Sequence, residues 1–256
     1  SDLGIAGVPD GMASVPYGNP DYLDPSVLDS WLQVQPDGMI TFATGKVDIG
    51  TGIETAVGQI AAEELDVPFE KVRIVMGDTA KTVDQGRTAG SQTVARAGPQ
   101  IRQAAAAARM ELLKLASPKL GVPVENLTVT DGVVSVVGDP SKKVTYGELI
   151  GGKQFNVKIT ANGIQGAMVV APEVKAKPYK DYKVVGKSIR RVDIPAKLTG
   201  EFTYTSDVRV PGMLHGRVVR PRNVISGAPT VDESSIDRKS TRLNSSHTDI
   251  SRMPSS

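Results

Sequence analysis

The sequence predicts a mixed α+β fold. Strand-like and helix-like segments alternate along its 256 residues, but without the strict strand–helix–strand period of a parallel α/β protein. Two hairpin signals, Pro36-Asp37-Gly38 and Asp131-Gly132, each lie between segments that alternate in the manner of strands. No apolar run approaches the roughly 18 residues that a membrane-spanning helix needs.

The first half begins with a leader over residues 1–29, which is rich in Gly, Pro, Asp and Ser and is expected to run extended over a surface. Regular structure is expected to begin at Trp31. The apolar spacing then predicts three elements. They are a hairpin of residues 31–34 and 39–42, a helix from Ile53 to Leu65 that Pro68 ends, and a buried strand from Val72 to Met76.

The second half has a further helix, a second hairpin and a short capped helix. These are predicted at Ile101 to Leu115 after Pro99, at Leu127 to Thr130 with Val133 to Val136, and at Val144 to Leu149. Residues 158–183 contain Pro and many Lys, and we interpret them as a linker. A second unit is expected at 184–236. Its predicted strands are Val184 to Gly186, Gly200 to Tyr204 and Met213 to Val219.

Residues 237–256 read DRKSTRLNSSHTDISRMPSS, where apolar residues nearly vanish and no helical or strand period can be counted. A disordered polar tail is one interpretation. The string also resembles a translated sequencing-adapter read-through, so we expect an adapter-derived, disordered artefact. Without it, basic and acidic residues are equal in number. The formal charge of +2 therefore gives no reason to expect nucleic acid as a partner.

The composition limits the chemistry that the chain can perform. It has no cysteine and two histidines, His215 and His247, so a thiolate zinc site, an iron–sulfur cluster and Cys–His catalysis are excluded. Any metal must arrive inside a cofactor. The carboxylates of the first predicted helix region are scattered, and Glu63 and Glu64 are expected on a solvated helix face.

Two glycine-bearing loops, residues 45–52 and 86–93, each lead into a predicted helix. Glycine lets the backbone approach a ligand closely, and the first N–H groups of a helix lack intrahelical partners, so such a loop can bind an anion. Hydrogen bonds to a charged group contribute about 1.5–3 kcal/mol each. Both loops are also explained as ordinary helix entries capped by Thr and Ser, and spacing alone favours that simpler interpretation.

Two sets of segments occur in a fixed order along the chain. The first is Pro36-Asp37-Gly38, residues 45–52, 61–68, 72–77 and 88–91; the second is Val185 to Ser188, Arg191 to Gly200 and Pro211 to Gly216. The first set resembles the molybdopterin-binding region of xanthine dehydrogenase/aldehyde oxidase-type large subunits, and the second is similar to the α/β hammerhead domain of that family.

This order is that of the isoquinoline 1-oxidoreductase beta-subunit group. The resemblance therefore implies an incomplete, amino-terminal piece of a large subunit. It places a mixed α+β molybdopterin-dinucleotide-binding module at 30–157 and a truncated α/β hammerhead domain at 184–236.

The resemblance implies a molybdopterin cofactor, in bacteria usually the cytosine dinucleotide, whose molybdenum is held by the pterin dithiolene. Gly50-Thr51-Gly52 stands where the family has Gly-Gln-Gly, whose glutamine hydrogen-bonds the cofactor. Thr51 is a departure, because its side chain is shorter and offers a hydroxyl instead of an amide. The residues implied to bind the cofactor are Gly50, Thr51, Gly52, Thr88, Ala89, Gly90, Ser91, Gln92 and Thr93.

The family hydroxylates aldehydes or N-heterocycles with water as the oxygen donor and passes electrons to [2Fe–2S] clusters on a partner subunit. Its catalytic glutamate lies in a Gly-Glu-Pro type motif, which this sequence lacks. We therefore assign no catalytic residue and no protein metal ligand, and we predict that the fragment is inactive alone. A non-catalytic binding or scaffold module is the alternative, and Thr51 favours it. Relatives with this domain order often carry a twin-arginine leader, so the bacterial periplasm is expected rather than the cytoplasm.

Overall fold

A computed structural model of the protein describes residues 23–160, 171–216 and 218. It also gives the backbone of two short antiparallel strands, at Ile236–Asp237 and Arg242–Leu243. The chain divides into two compact units, 1–202 and 203–256. The helices and sheets described below lie in the first unit.

The first sheet has three strands in the order β1 (Leu32–Val34), β2 (Ile40–Thr44) and β3 (Val72–Met76). β1 and β2 pair antiparallel across the predicted turn, so the first hairpin is confirmed. β2 and β3 pair in parallel, with Ile40 opposite Val72. A parallel pair needs a crossover connection, and the helix between these two strands supplies it. The sheet is therefore mixed, as the α+β class predicts.

Two helices pack against each other beside this sheet. α1 spans Ile53–Leu65, which matches the predicted bounds, and α2 spans Gly98–Leu120. A π-helical turn, Thr93–Ala97, leads directly into α2. The five consecutive alanines at 104–108 are all buried. Their small side chains let neighbouring elements approach α2 closely.

The second sheet is an antiparallel meander of β4 (Leu127–Thr130), β5 (Val133–Val136) and β6 (Asp139–Thr145). The hairpin of β4 and β5 confirms the second turn signal. The sequence analysis did not predict β6. Val144 is its only buried residue, so the strand shows no alternation of apolar and polar residues. α3 follows at Tyr146–Ile150, where Thr145 and Glu148 form a capping box; the predicted helix began two residues too early.

The core joins both sheets to the helices through large side chains that are fully buried, among them Leu28, Trp31, Phe42 and Tyr146. Leu28 lies in a 3₁₀ turn, Leu28–Ser30, so regular structure begins ahead of Trp31 and the end of the predicted leader belongs to the core. The Trp31 indole donates a hydrogen bond to the carbonyl oxygen of Pro25 at 2.9 Å. None of the described helices is both long and apolar enough to cross a membrane.

The strands predicted after residue 183 are wrong: none of the described residues in those three segments lies in a strand. The α-helix described there is a short one, α4 (Ile194–Thr199). The backbone N–H groups of Val184 and Val185 donate to the carboxylate of Glu63 instead of to a neighbouring strand, which removes the donors that a sheet would need. The α/β hammerhead domain and the domain boundaries stay predictions.

Parts of three sequence-based predictions lie outside the described residues. They include residues 1–22 of the leader and the shorter stretch 161–170 of the linker. The expected artefact at 237–256 also lies outside the described residues, except for the backbone of Asp237, Arg242 and Leu243, which takes part in the short antiparallel pair.

Candidate cofactor-binding site

The loop ahead of α1 turns around the carboxylate of Asp48. Its Oδ1 accepts hydrogen bonds from the backbone N–H groups of Gly50 and Thr51, each at 2.8 Å, and of Gly52 at 3.2 Å. Oδ2 accepts one from Glu54 at 3.2 Å. Burial alone would raise the pKa of Asp48, but these four donors outweigh it and lower the pKa below its usual value. Asp48 therefore caps α1 as an anion.

Gln85 joins the second glycine loop to the first. Its buried Oε1 accepts hydrogen bonds from the hydroxyl of Thr44 at 2.6 Å and from the N–H of Gly45 at 3.0 Å. Its Nε2 donates to Oε1 of Gln100 on α2 at 2.8 Å. Glycine is required at position 45, because a Cβ there would collide with the carbonyl oxygen of Val83. One side chain thus fixes both loops and the second helix relative to one another.

Two further contacts tie the loops together. The buried ammonium of Lys46 donates hydrogen bonds to the carbonyl oxygens of Gly86 at 3.3 Å and Arg87 at 2.9 Å. The hydroxyl of Thr88 accepts one from the N–H of Val47 at 3.0 Å. Burial lowers the pKa of Lys46 below its usual value. The two loops that the sequence singles out therefore lie side by side.

The nine residues predicted to bind a cofactor lie on these two loops and differ in exposure. Gly50, Thr51, Ala89, Gly90 and Ser91 are exposed, Thr88 and Gln92 are half-buried, and Gly52 and Thr93 are buried. Thr93 begins the π-helical turn and is buried there. That these residues bind a cofactor stays a prediction.

The entry of α1 differs from the simple anion site expected there. The N–H groups of Thr51 and Gly52 just ahead of the helix, and that of Glu54 in its first turn, already bind Asp48, so a carboxylate of the chain occupies the position expected for a ligand. The surroundings are acidic as well. Burial, and then the charges of Asp48 and Asp193, raise the pKa of the half-buried Glu54. A phosphate at this helix entry would therefore have to compete with Asp48 for the same N–H donors.

The second loop offers a better set of donors. Gly90 and Ser91 both have left-handed backbones, with φ of +59° and +58°, and both are exposed. For a serine this conformation is strained, and such strain clusters at functional sites. Backbone N–H groups, hydroxyls and the amide of Gln92 lie within this short stretch. The donor set suits phosphate oxygens or the polar ring atoms of an organic cofactor such as a pterin.

The side chains of the two loops do not form a site that binds a metal ion directly. Among the residues that the structure describes, no three His, Cys, Asp or Glu side chains are grouped so that they could hold a metal ion.

The sequence analysis assigned no role in this region to Lys46, Gln85 or Arg191, although Lys46 lies within the first loop. A lysine inside a glycine loop and a glutamine inside a polar loop carry no periodicity that would mark them as buried. Arg191 lies in the second set of motif segments, and its guanidinium donates to the carbonyl oxygen of Gly50 at 3.3 and 3.4 Å. That contact joins positions 141 residues apart, which spacing alone does not reveal.

The expectation for Glu63 and Glu64 is wrong, since their exposures are 1% and 2%. Oε1 of Glu64 accepts a hydrogen bond from the guanidinium of Arg102 on α2 at 2.9 Å, and Oε2 accepts one from the backbone N–H of Lys177 at 2.8 Å. The described end of the predicted linker thus covers the helix face that was expected to meet solvent.

Comparison with known proteins identifies the family. The profile of the molybdopterin cofactor-binding domain matches residues 4–206. The B subunit of the nicotinate dehydrogenase of Pseudomonas putida is 42% identical over 194 residues, which are 76% of this chain and 15% of that protein. The beta subunit of the isoquinoline 1-oxidoreductase of Brevundimonas diminuta is 29% identical over 216 residues, covering 73% of this chain and 28% of that protein.

A third relative is the membrane-bound aldehyde dehydrogenase [pyrroloquinoline-quinone] of Gluconacetobacter polyoxogenes. It is 30% identical over 192 residues, covering 75% of this chain and 24% of that protein. The chain belongs to the molybdopterin cofactor-binding domain family and is a fragment of a xanthine dehydrogenase-type large subunit. It spans between 15% and 28% of the length of these three relatives.

Proposed function

We propose that this chain is the cofactor-binding portion of a molybdenum hydroxylase large subunit. In its full-length form that subunit oxidises an aldehyde or an N-heterocycle with water as the oxygen donor. The observation that carries the proposal is the junction of the two glycine loops through Gln85, in a chain whose residues 4–206 match the family. The names of the three relatives refer to nicotinate, isoquinoline and an aldehyde, which supports this substrate range.

The second loop binds the phosphates of the cofactor in this proposal, and Thr51 contacts it from the first loop. Thr88, Ser91 and Gln92 supply hydroxyl and amide donors, and the backbone of Gly90 allows close approach. The lack of cysteine fits a molybdenum atom that is held by the cofactor's own dithiolene. The cytosine dinucleotide is the proposed form. When bound, the cofactor supplies the two-electron redox chemistry, and this chain binds and orients it.

In this proposal, the electrons removed from the substrate pass to a second protein. The chain has no cysteine for an iron–sulfur cluster, and two of the three relatives are named as subunits of larger assemblies. We therefore propose a small [2Fe–2S] subunit as the partner. We also propose that the fragment alone is inactive, since it has no Gly-Glu-Pro type motif, and that the full protein is exported to the periplasm, on the resemblance to relatives that carry a twin-arginine leader.

The test is the cofactor content of the purified full-length protein, expressed together with its partner. We expect about one molybdenum per chain by elemental analysis, and cytidine nucleotide released by acid in the same ratio. Absence of both from protein made in molybdate-replete cells would overturn the enzyme proposal and favour the scaffold alternative. A guanine nucleotide in place of cytidine would overturn only the dinucleotide assignment.

A matched pair of variants locates the binding loop. Ser91→Asp adds a negative charge where the phosphates are proposed to bind, and we expect molybdenum content to fall about tenfold or more because like charges repel at close range. Ser188→Asp makes the same change at an exposed serine outside both loops and is expected to retain the cofactor. Equal retention in both variants would place the phosphates elsewhere.

A further inference from the structure

The guanidinium of Arg191 lies against the first glycine loop. Nη1 and Nη2 donate hydrogen bonds to the carbonyl oxygen of Gly50 at 3.4 and 3.3 Å. The same side chain covers Gly52 so closely that a Cβ at position 52 would lie 2.6 Å from Nε of Arg191. The two glycines that flank Thr51 are therefore both in contact with one arginine.

Arg191 is itself held in place by Asp193. Nε donates to Oδ1 of Asp193 at 3.0 Å and Nη2 to Oδ2 at 2.7 Å, which is the two-pronged geometry that arginine forms with a carboxylate. Lys197 also donates to Oδ2 at 2.6 Å. Hydrogen bonds from Arg191 and Lys197 hold the pKa of Asp193 well below its usual range, so the carboxylate stays ionised at neutral pH.

The backbone beside Arg191 is fastened to α1 as well. The N–H of Val192 donates to the hydroxyl of Thr55 at 3.1 Å, in the first turn of the helix. Thr55 and Asp193 are both buried. Segment 191–193 is thus anchored to the helix that follows the first glycine loop, and the arginine reaches from that anchor to the loop.

We propose that Arg191 is a positioning residue for the cofactor loop: held by Asp193, it fixes the carbonyl of Gly50 and the backbone of Gly52, so that Thr51 is presented to the cofactor. This inference rests on the proposed function. Arg191 and Asp193 lie in the segment that resembles the hammerhead domain. The inference assigns them to the glycine loop of the segment that resembles the cofactor-binding region. An arginine is suited to the role because its planar group can contact the carboxylate and the carbonyl at once, which a lysine ammonium cannot reproduce.

Hydrogen exchange and cofactor content together test the inference in the full-length protein. The amides of Gly50, Thr51 and Gly52 are bonded to Asp48, so they report on opening of the loop. In cofactor-free protein, Arg191→Ala should speed their exchange about tenfold, and Arg191→Lys should restore little of the protection. Arg190→Ala removes the same charge from the neighbouring residue and should leave the exchange rates unchanged.

The cofactor readout separates this inference from the proposed function. We expect Arg191→Ala to lose molybdenum about tenfold faster on dilution than the unaltered protein, whereas Arg190→Ala should match the unaltered protein. If the unaltered protein contains no molybdenum, the proposed function fails while the exchange result still decides whether Arg191 holds the loop. If Arg191→Ala and Arg190→Ala agree in both readouts, the positioning role is overturned.

Discussion

Oε2 of Glu63 lies 2.6 Å from the backbone nitrogen of Val184 and accepts its hydrogen bond inside the protein. The same oxygen accepts bonds from the N–H groups of Lys183 at 2.8 Å and Val185 at 2.9 Å, while Oε1 pairs with the ammonium of Lys177 at 3.1 Å. One carboxylate on α1 therefore fixes a segment that begins 120 residues further along the chain. Loss of a partner from such a buried, hydrogen-bonded anion is strongly destabilising, because the remaining group is left without compensation.

Replacement of Glu63 by glutamine should therefore destabilise this chain strongly. Glutamine keeps the size, and its carbonyl oxygen can still accept the three backbone bonds. Its amide nitrogen then faces the ammonium of Lys177, from which it cannot accept a bond, and the buried negative charge is lost. We expect the free energy of unfolding to fall by about 3 kcal/mol. Urea unfolding followed by the fluorescence of Trp31, the single tryptophan, measures this. Glu125→Gln changes a glutamate outside this cluster and should have no effect; equal losses in the two variants would contradict the interpretation.

The same carboxylate should make stability depend on pH. Burial alone would raise the pKa of Glu63, but the donors from Val184, Val185, Lys177 and Lys183 outweigh it and lower the pKa below 4.5. The stabilisation is therefore complete above pH 4.5 and is lost as pH falls below that value. The stability difference between the unaltered chain and Glu63→Gln should shrink over that range. A difference that stays constant down to about pH 3 would argue against an ionised Glu63.

These contacts show what the sequence could and could not predict. Apolar periodicity predicted the bounds of Ile53–Leu65 and Val72–Met76 correctly. The expectation that Val72–Met76 is a buried strand is wrong, since its residues are half-buried or exposed. The same periodicity failed at Glu63, whose burial depends on a segment distant in sequence. Val184 and Val185 resemble a strand locally, yet their N–H groups bind a side chain. Position-specific hydrogen bonds of this kind leave no repeat in the sequence.

The candidate site, too, could be predicted from the sequence only in part. Glycine content and motif order identified both loops, and the structure brings Thr88 against Val47 of the first loop. The residues that join the loops, Gln85 and Lys46, were not identified. Each acts through buried polar contacts, and such contacts are specified by the three-dimensional fold rather than by spacing.

Gln85→Leu should separate the two glycine loops. Leucine is similar in size, but it leaves the hydroxyl of Thr44, the N–H of Gly45 and the amide of Gln100 without the partners that Gln85 provides. Since each buried polar group that loses its partner costs about 1–3 kcal/mol, we expect a loss of roughly 3 kcal/mol in unfolding free energy. Gln154→Leu, at an exposed position, is the control. A loss no greater than that of the control would mean that Gln85 does not hold the loops together.

Tyr146→Phe tests the link between α3 and the end of α1. The buried hydroxyl of Tyr146 donates to the carbonyl oxygen of Leu65 at 2.9 Å. Its removal leaves that carbonyl inside the core without this donor, so we expect a destabilisation of about 1–2 kcal/mol in thermal or urea unfolding. Tyr179→Phe removes a hydroxyl from a side chain that is 85% exposed and should change nothing. Equal stability of both variants would show that the Leu65 bond contributes little.

Asp48→Asn tests whether the first loop depends on its own anion. Asparagine keeps one acceptor for the N–H groups of Gly50, Thr51 and Gly52, but it presents an amide to the N–H of Glu54 and removes the charge at the helix entry. We expect a loss of about 1 kcal/mol at neutral pH. The pKa of Asp48 lies below 3.8, so the loss should diminish only as pH falls below that value. Asp181→Asn, at an aspartate outside the loop, should show neither effect.

Thr51→Gln introduces, between the two glycines, the residue that the resemblance implies there. Thr51 is exposed, so a longer side chain at this position can extend from the loop surface. Its amide can add a hydrogen bond to a cofactor bound at the loop, for which we expect about tenfold slower loss of molybdenum from the full-length protein. Thr128→Gln makes the same change at an exposed threonine outside the candidate site and should leave retention unchanged. If Thr51→Gln also leaves it unchanged, the first loop does not contact the cofactor through position 51, and the second loop alone would account for binding.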